Sequence, residues 1–382
     1  MDAYAFNLPT RIVFGAGSID TLPQHAHLLG ARPLFVTGAR FVRESGLRER
    51  LSAALPGTAW LEGIPENPTT TVCEAGALVA IEHGADLLIA VGGGSVIDAA
   101  KAIAVLARNP PPCAQYFGAE RYTTPPLPLI AVPTTAGTGS EVTPYCVLVD
   151  PDGPVKRTVS GQALFPRLAL LDPALTCSLP RAVTVATGLD ALSQAMEGML
   201  SRKATPIGDT LALEACALVR RALPRVLAAP DDLDARADLL HAALLSGIII
   251  AQSGTTLVHG MGYYYTLHAG VAHGLANALL LAPVFRVNAQ HAPDKVARIA
   301  AALGIPCEPK PEAAADAITK ALHGLLRATG VSPAARDAGV SHAALAGFAQ
   351  DIAGDPYRFK NQWGTFDDSA VEALYQASYD GR

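Results

Sequence analysis

The sequence predicts an α/β half with a parallel sheet, followed by an all-helical half. Three observations predict it. The apolar run Leu87–Val91 leads through Gly92, Gly93 and Gly94 into a helix-forming run from Ser95 to Lys101. Apolar residues without polar alternation read as a strand buried on both faces. Strand-like and helix-like segments alternate as far as Leu171, the pattern of parallel strands joined by crossover helices. From about Leu179, Ala, Leu and helical spacing dominate to the end. The boundary falls near residue 180, giving domains 1–180 and 181–382.

Taken in order, Arg11–Phe14 is a short strand ending at Gly15-Ala16-Gly17, and Leu34–Thr37 is a second with Gly38 at its end. Residues 41–55 have helical spacing, and Asn67-Pro68-Thr69 breaks the chain before a helix over Val72–His83. The Leu87–Val91 strand and its helix run to about Arg108, and Pro110–Pro128 reads as a proline-rich loop. Leu129–Pro133 is another strand, running into the small, hydroxyl-rich stretch Thr134–Glu141. Such a stretch leaves space for a ligand and offers it hydrogen bonds. Leu168–Leu171 closes the alternating region. The second half reads as helices over Arg181–Ser201, Pro206–Leu223, Asp231–Ser253, Gly274–Asn288 and Asp294–Leu303, separated by Pro or Gly. His259 and His273 flank a glycine- and tyrosine-rich turn, Gly260–Gly270.

A chain of 382 residues is long enough for two cores, and with half its residues hydrophobic and 16% charged it reads as globular. A net charge of −5 and the lack of any basic run argue against a nucleic-acid surface. No apolar stretch is long enough to span a bilayer and no signal peptide is recognised, so the expectation is a cytoplasmic protein without a membrane partner. Cys73, Cys113, Cys146, Cys177, Cys216 and Cys307 lie far apart with no CxxC pair. That predicts free buried thiols rather than a disulfide framework or a zinc knot.

Two groups of residues carry chemistry. Glycines at a strand end remove every Cβ from the turn, and the following helix aims its positive end at the same place. Gly92, Gly93, Gly94 and Ser95 therefore read as a pyrophosphate cradle, although the spacing is not GxGxxG. In the helical half, Asp190 and Gln194 are four residues apart and share a helix face. With His259 and His273 they offer oxygen and imidazole donors for one divalent metal; a capping Asp and core histidines are the alternative.

These blocks are identified with a known family. Phe14-Gly15-Ala16-Gly17, Gly92-Gly93-Gly94-Ser95 with Asp98 and Lys101, Pro133–Glu141, Thr187–Leu192 and His273–Asn277 occur in the order seen in the iron-containing alcohol dehydrogenases, and the chain resembles that family up to about Asn288. The resemblance implies the dehydroquinate synthase-like fold: an α/β N-terminal domain with a Rossmann-like sheet, then an all-helical C-terminal domain. It implies a nicotinamide cofactor in the cleft between them, a divalent metal on the helical side, and interconversion of alcohols with aldehydes or ketones. It also implies a homodimer. By position it assigns the cofactor to Gly38, Arg40, Asn67, Gly92, Gly93, Gly94, Ser95, Asp98, Thr134, Thr135, Thr138, Ser140 and Lys156.

Three departures from the family pattern follow. The metal set is Asp190, Gln194, His259 and His273, with a carboxamide where the family has an imidazole. Carboxamide oxygen is a poorer donor to Fe2+ or Zn2+ than imidazole, so the expectation is a metal weakly bound or absent. Tyr263 stands where the family often has a proton-relaying histidine, which makes Tyr263, His259 and His273 the candidate catalytic groups. Gly38 stands where NAD-preferring members carry an acid, and Arg40 and Arg43 follow. Without a carboxylate to repel a 2′-phosphate, NAD(P) is expected with NADP slightly favoured.

Carbonyl reduction needs an oriented nicotinamide, stabilisation of the developing oxyanion, and a proton. The metal as Lewis acid supplies the second need. Without it, Tyr263 or an imidazolium would do so. The alternatives are a maleylacetate reductase-like keto-acid reductase, a lyase of the dehydroquinate synthase type, and a cofactor-binding protein whose catalytic site has decayed. A lyase would need a dense basic cluster, and Arg181, Arg202 and Lys203 do not form one in the sequence.

Overall fold

A computed structural model describes residues 3–153, 155–306 and 310–382. The chain divides into two compact units, Leu8–Cys177 and Ser178–Arg382, with residues 3–7 belonging to the second.

The first unit holds β1 (Arg11–Phe14), α1 (Leu22–Leu29), β2 (Pro33–Thr37), α2 (Phe41–Glu44), α3 (Leu47–Ala54), β3 (Ala59–Leu61), α4 (Thr70–His83), β4 (Leu87–Gly92) and α5 (Gly94–Leu106). There follow β5 (Gly118–Ala119), β6 (Leu129–Pro133), β7 (Tyr145–Asp150), β8 (Val155–Ser160) and β9 (Leu168–Leu171). Six strands pair in parallel in the order β1-β9-β6-β4-β2-β3. Every residue of β2, β4 and β6 is buried, as their unbroken apolar runs require. Alternate residues face opposite layers. Leu34, Val36, Leu88, Ala90, Leu129 and Ala131 pack with α4 and α5, and Phe35, Leu87, Ile89, Val91, Ile130 and Val132 pack with α1, α2 and α3.

The strand order reverses between β2 and β4, because β3 lies outside β2 while β6 and β9 lie on the other side of β4. Doubly wound sheets bind ligands outside the carboxyl ends of the strands at such a switch point. Gly38 follows β2 and Gly93 follows β4, so the topology places both there.

Two details differ from the sequence reading in this unit. The helical spacing over 41–55 splits into α2 and α3, because Gly46 takes a left-handed φ of 70° between them. A second sheet, β5-β8-β7, lies in a stretch where no strands were expected, with β7 and β8 antiparallel and β5 and β8 parallel. β7 and β8 are six residues each and half-buried; β7 carries the apolar run Tyr145–Val149, a strand signal that the sequence reading missed, whereas β8 is mostly charged and polar and carries none.

The second unit is helical: α6 (Arg181–Leu200), α7 (Pro206–Ala228), α8 (Leu233–Ser253), α9 (Leu257–Ala269), α10 (His273–His291), α11 (Pro293–Ala302), α12 (Pro311–Thr329), α13 (Leu345–Ala353) and α14 (Asp368–Asp380). Pro224 and Pro283 lie inside α7 and α10 rather than ending them. Each proline removes one N–H, and the packed faces on either side keep the helix continuous. The expected turn over Gly260–Gly270 is instead most of α9. Two glycines weaken a helix in isolation, but Gly262 has a packing reason, since a Cβ there would lie 2.2 Å from Asn277 Oδ1 on α10. The helices α8 and α9 meet at a bend of 113°, and among the described residues no single helix is long and apolar enough to cross a membrane.

The cysteines carry no disulfide among the described residues. Cys73, Cys113, Cys146 and Cys216 are buried thiols, Cys177 is half-buried, and Cys307 lies outside the described residues.

Candidate functional site

In the first unit, β4 delivers Gly92 to the start of α5. Gly93 caps that helix without a side-chain hydrogen bond, so its first amides are left for an external acceptor. The glycines also let a second strand end approach. A Cβ on Gly93 would lie 3.1 Å from Thr135, and one on Gly94 would lie 2.6 Å from Thr138. Thr134 N–H donates to the Gly92 carbonyl at 3.0 Å, which ties the Thr134–Ser140 loop to the cradle. Asn67 has a left-handed φ of 51°, a conformation Asn tolerates, and its N–H donates to Ser95 Oγ at 3.3 Å. Gly92, Gly93, Gly94, Ser95, Asn67, Thr134, Thr135 and Thr138 are thus brought together, with Ser140 at the end of the loop.

Asp98 and Lys101, one turn apart on α5, turn out to bind the chain to itself. Asp98 Oδ2 accepts from Val147 N–H on β7 at 3.0 Å. Burial raises the Asp98 carboxyl, against the pull of Lys101, the Val147 amide, Ser140 and Lys156. Lys156 therefore acts on Asp98 from β8. The fully buried Lys101 ammonium donates to the carbonyls of Ser140, Thr143 and Tyr145 and to Thr143 Oγ1 at 2.7–2.9 Å. Beside it, Glu141 is buried with Oε1 unbonded among the described residues, and burial pushes its carboxyl up to about 7. A carboxyl raised on folding from 4.5 is best tolerated protonated, so its contribution is fully present below pH 4.5 and lost as pH rises through 7. Glu141→Gln is expected to melt increasingly above the parent as pH goes from 5 to 8; a constant gap would refute this.

At the end of β2, Gly38 has no neighbour closer than 3.8 Å to a Cβ position, so it leaves room. Arg40 is exposed and makes no ion pair among the described residues. Arg43 is committed elsewhere: it forms an ion pair with Glu62 just past β3, which Arg48 joins at 3.0 Å.

The second unit gathers the other candidates. Asp190 lies mid-way along α6, His259 in the first turn of α9 and His273 at the start of α10. Ligating atoms of the three all lie within 4.8 Å of one another. His259 Nε2 is 3.6 Å from Asp190 Oδ1, beyond hydrogen-bond length, and is buried without a hydrogen-bond partner among the described residues. A buried imidazole nitrogen aimed at a carboxylate and a second imidazole fits one divalent cation by donor type and by spacing. Burial alone would raise Asp190, but His259, His273 and Asn277 hold its carboxyl below the usual range. Burial alone would lower His259, but Glu197 and Asp190 push it up to about 10.

Gln194 is beside this cluster, turned away from the donor role expected of it. Its Nε2 donates to Asp190 Oδ2 at 3.1 Å and its Oε1 accepts from Ser246 Oγ at 2.8 Å. An ionised Asp190 only accepts, so the amide must present its NH2 group there and its oxygen to Ser246. Tyr263 does join the cluster, its ring stacked on His273 with centroids 5.3 Å apart and planes at 19°.

Sequence reasoning missed Asn277 and Glu197. Asn277 Nδ2 donates to Asp190 Oδ1 at 2.8 Å. Glu197 accepts from His259 Nδ1. Both carried a signal: Asn277 is one helical turn after His273, and Glu197 is seven residues, two turns, after Asp190.

Comparisons with known proteins point to one family. Residues 9–173 match the family model "Iron-containing alcohol dehydrogenase", and residues 184–379 match "Fe-containing alcohol dehydrogenase family, C-terminal", well beyond Asn288. The chain is 35% identical over 350 residues to the probable alcohol dehydrogenase EutG of Escherichia coli K12, covering 90% of this chain and 87% of that one. It is 31% identical over 304 residues to the NAD-dependent methanol dehydrogenase of Bacillus methanolicus, covering 78% and 80%. The crystal structure of a 1,3-propanediol oxidoreductase superposes with a TM-score of 0.94 at 30% identity, covering 99% of this chain and all of that one.

Proposed function

The chain belongs to the iron-containing alcohol dehydrogenase family, and from that premise we propose how its residues carry out hydride transfer between NAD(P)H and an aldehyde or ketone. The observation that carries this reading is the cluster of buried Asp190 and His259 with half-buried His273, in which His259 Nε2 has no hydrogen-bond partner among the described residues. A divalent metal held by these three would act as a Lewis acid on the carbonyl oxygen. With Gln194 committed to Asp190 and Ser246, a metal here would find three protein donors rather than four and would be held weakly. Tyr263, on His273, supplies the proton to the nascent alkoxide. The start of α5 and the Thr134–Ser140 loop bind the pyrophosphate and the adjoining ribose. No observation favours a keto-acid reductase or a decayed site over this reading.

The test is a carbonyl-reduction panel run with NADH and NADPH beside metal analysis. Short aldehydes are expected to turn over, with activity lost to a chelator and restored by Fe2+ or Zn2+. Asp190→Ala is expected to lower kcat/KM by about 10³-fold, roughly 4 kcal/mol. Activity indifferent to both the chelator and Asp190→Ala would overturn the assignment of the cluster, and failure of both coenzymes to bind would overturn the whole reading.

We further propose that NADP is slightly favoured. Gly38 puts no carboxylate against a 2′-phosphate, and Arg40 is exposed with no acid paired to it among the described residues. Arg43 adds little, because its guanidinium is already engaged by Glu62. Arg40→Ala is expected to raise KM for NADPH about tenfold, roughly 1.4 kcal/mol, and to leave KM for NADH near the parent value. Equal effects on both coenzymes would refute it.

A further inference from the structure

The helix α9 starts without a capping hydrogen bond from its own N-cap, Thr256. Glu197, from α6, takes that place. Its Oε1 accepts from Thr256 N–H at 2.9 Å, from Thr256 Oγ1 at 2.8 Å and from His259 N–H at 3.4 Å. Its Oε2 accepts from His259 Nδ1, and the Glu197 side chain is 1% exposed. One buried carboxylate therefore anchors the start of a helix and also grips the imidazole in that helix's first turn. A carboxylate only accepts, so the nitrogen facing it must carry a proton. That leaves Nε2 as the atom facing Asp190 and His273.

We propose that Glu197 is a positioning residue. It holds the proton of His259 on Nδ1 and so keeps Nε2 directed at the ligand position, while fixing the backbone that carries the ring. The inference rests on the metal reading above. Partners of this kind fix the ring orientation and the protonated nitrogen of ligating histidines. They cost metal affinity when removed even though they touch no metal.

Glu197→Gln separates the two duties. Three donors surround the position of Oε1, so the amide oxygen goes there and the cap survives. The amide NH2 group then faces Nδ1, which must give up its proton. In metal-free protein labelled with 15N-histidine, the Nδ1–H signal of His259 is expected in the parent and absent in E197Q. Apparent affinity for Co2+ is expected to fall about 10- to 100-fold, with the metal-free Tm little changed. Thr256→Val disturbs the cap without touching Nδ1, and is expected to do the reverse: a lower Tm with parental Co2+ affinity. An E197Q protein that keeps the Nδ1–H signal, or binds Co2+ as the parent does, would overturn the proposal. A parent that binds no Co2+, yet shows an Nδ1–H signal that E197Q loses, would overturn the metal reading and uphold the role of Glu197.

Discussion

Gly274→Ala is expected to cost roughly 3 kcal/mol of stability and to reduce carbonyl turnover by about 10²-fold or more. A Cβ at this position would lie 2.0 Å from the Ala186 carbonyl oxygen and 2.7 Å from Asp190 Cβ. The first obstacle is helix backbone, which cannot swing aside as a side chain can. The start of α10 must therefore move off α6. That end of α10 carries His273, and one turn further Asn277, which holds Asp190 Oδ1 at 2.8 Å. One methyl group thus separates Asp190 from a neighbouring donor and from a candidate ligand together. Thermal melts and steady-state kinetics on the same preparation check it. A variant with parental Tm and parental kcat would show that α6 and α10 do not approach as closely as described.

Gln194→His is expected to strengthen metal binding at least tenfold, about 1.4 kcal/mol. Residues 190 and 194 share a face of α6, and the Gln194 amide already lies 3.1 Å from Asp190. An imidazole there adds a neutral nitrogen as the fourth donor beside one carboxylate and two imidazoles, and four is the number zinc prefers. The change also removes an N–H donor from Asp190 Oδ2, which frees that oxygen. Competition against a chromogenic chelator measures the affinity. If bound metal were unchanged, position 194 would not face the other donors. The same titration on Ser246→Ala is a control, since that variant releases the Gln194 oxygen without adding a ligand.

Much of the first unit was legible because its strands are buried on both faces. The runs at Leu34–Thr37, Leu87–Val91 and Leu129–Pro133 are short, unbroken and apolar, as fully buried strands are, and glycine at two strand ends marks the switch point. Of the antiparallel pair, β7 was legible in its apolar run Tyr145–Val149 but was missed, and β8, with Lys156, Arg157, Thr158 and Ser160, carries a weak pattern. In the second unit, α9 looked like a turn from its glycines alone. Only the Asn277 side chain on the neighbouring helix explains why Gly262 belongs in a helix. The ligand residues were legible by type, whereas the direction of the Gln194 amide was not, because Asp190 and Ser246 decide it from 4 and 52 residues away.

By itself, then, the sequence determined the alternation of strand and helix, the glycine cradle and which residues could donate to a metal. These follow from local chain geometry and from side-chain chemistry, both of which travel with the residue. Only the tertiary structure decided that Asp190, His259 and His273 converge, that Arg43 is spent on Glu62, that Lys101 and Asp98 brace β7, and that Glu197 stands behind His259. The physical reason is that a buried polar atom must find its partner wherever packing brings one, and packing joins residues that lie far apart in the chain.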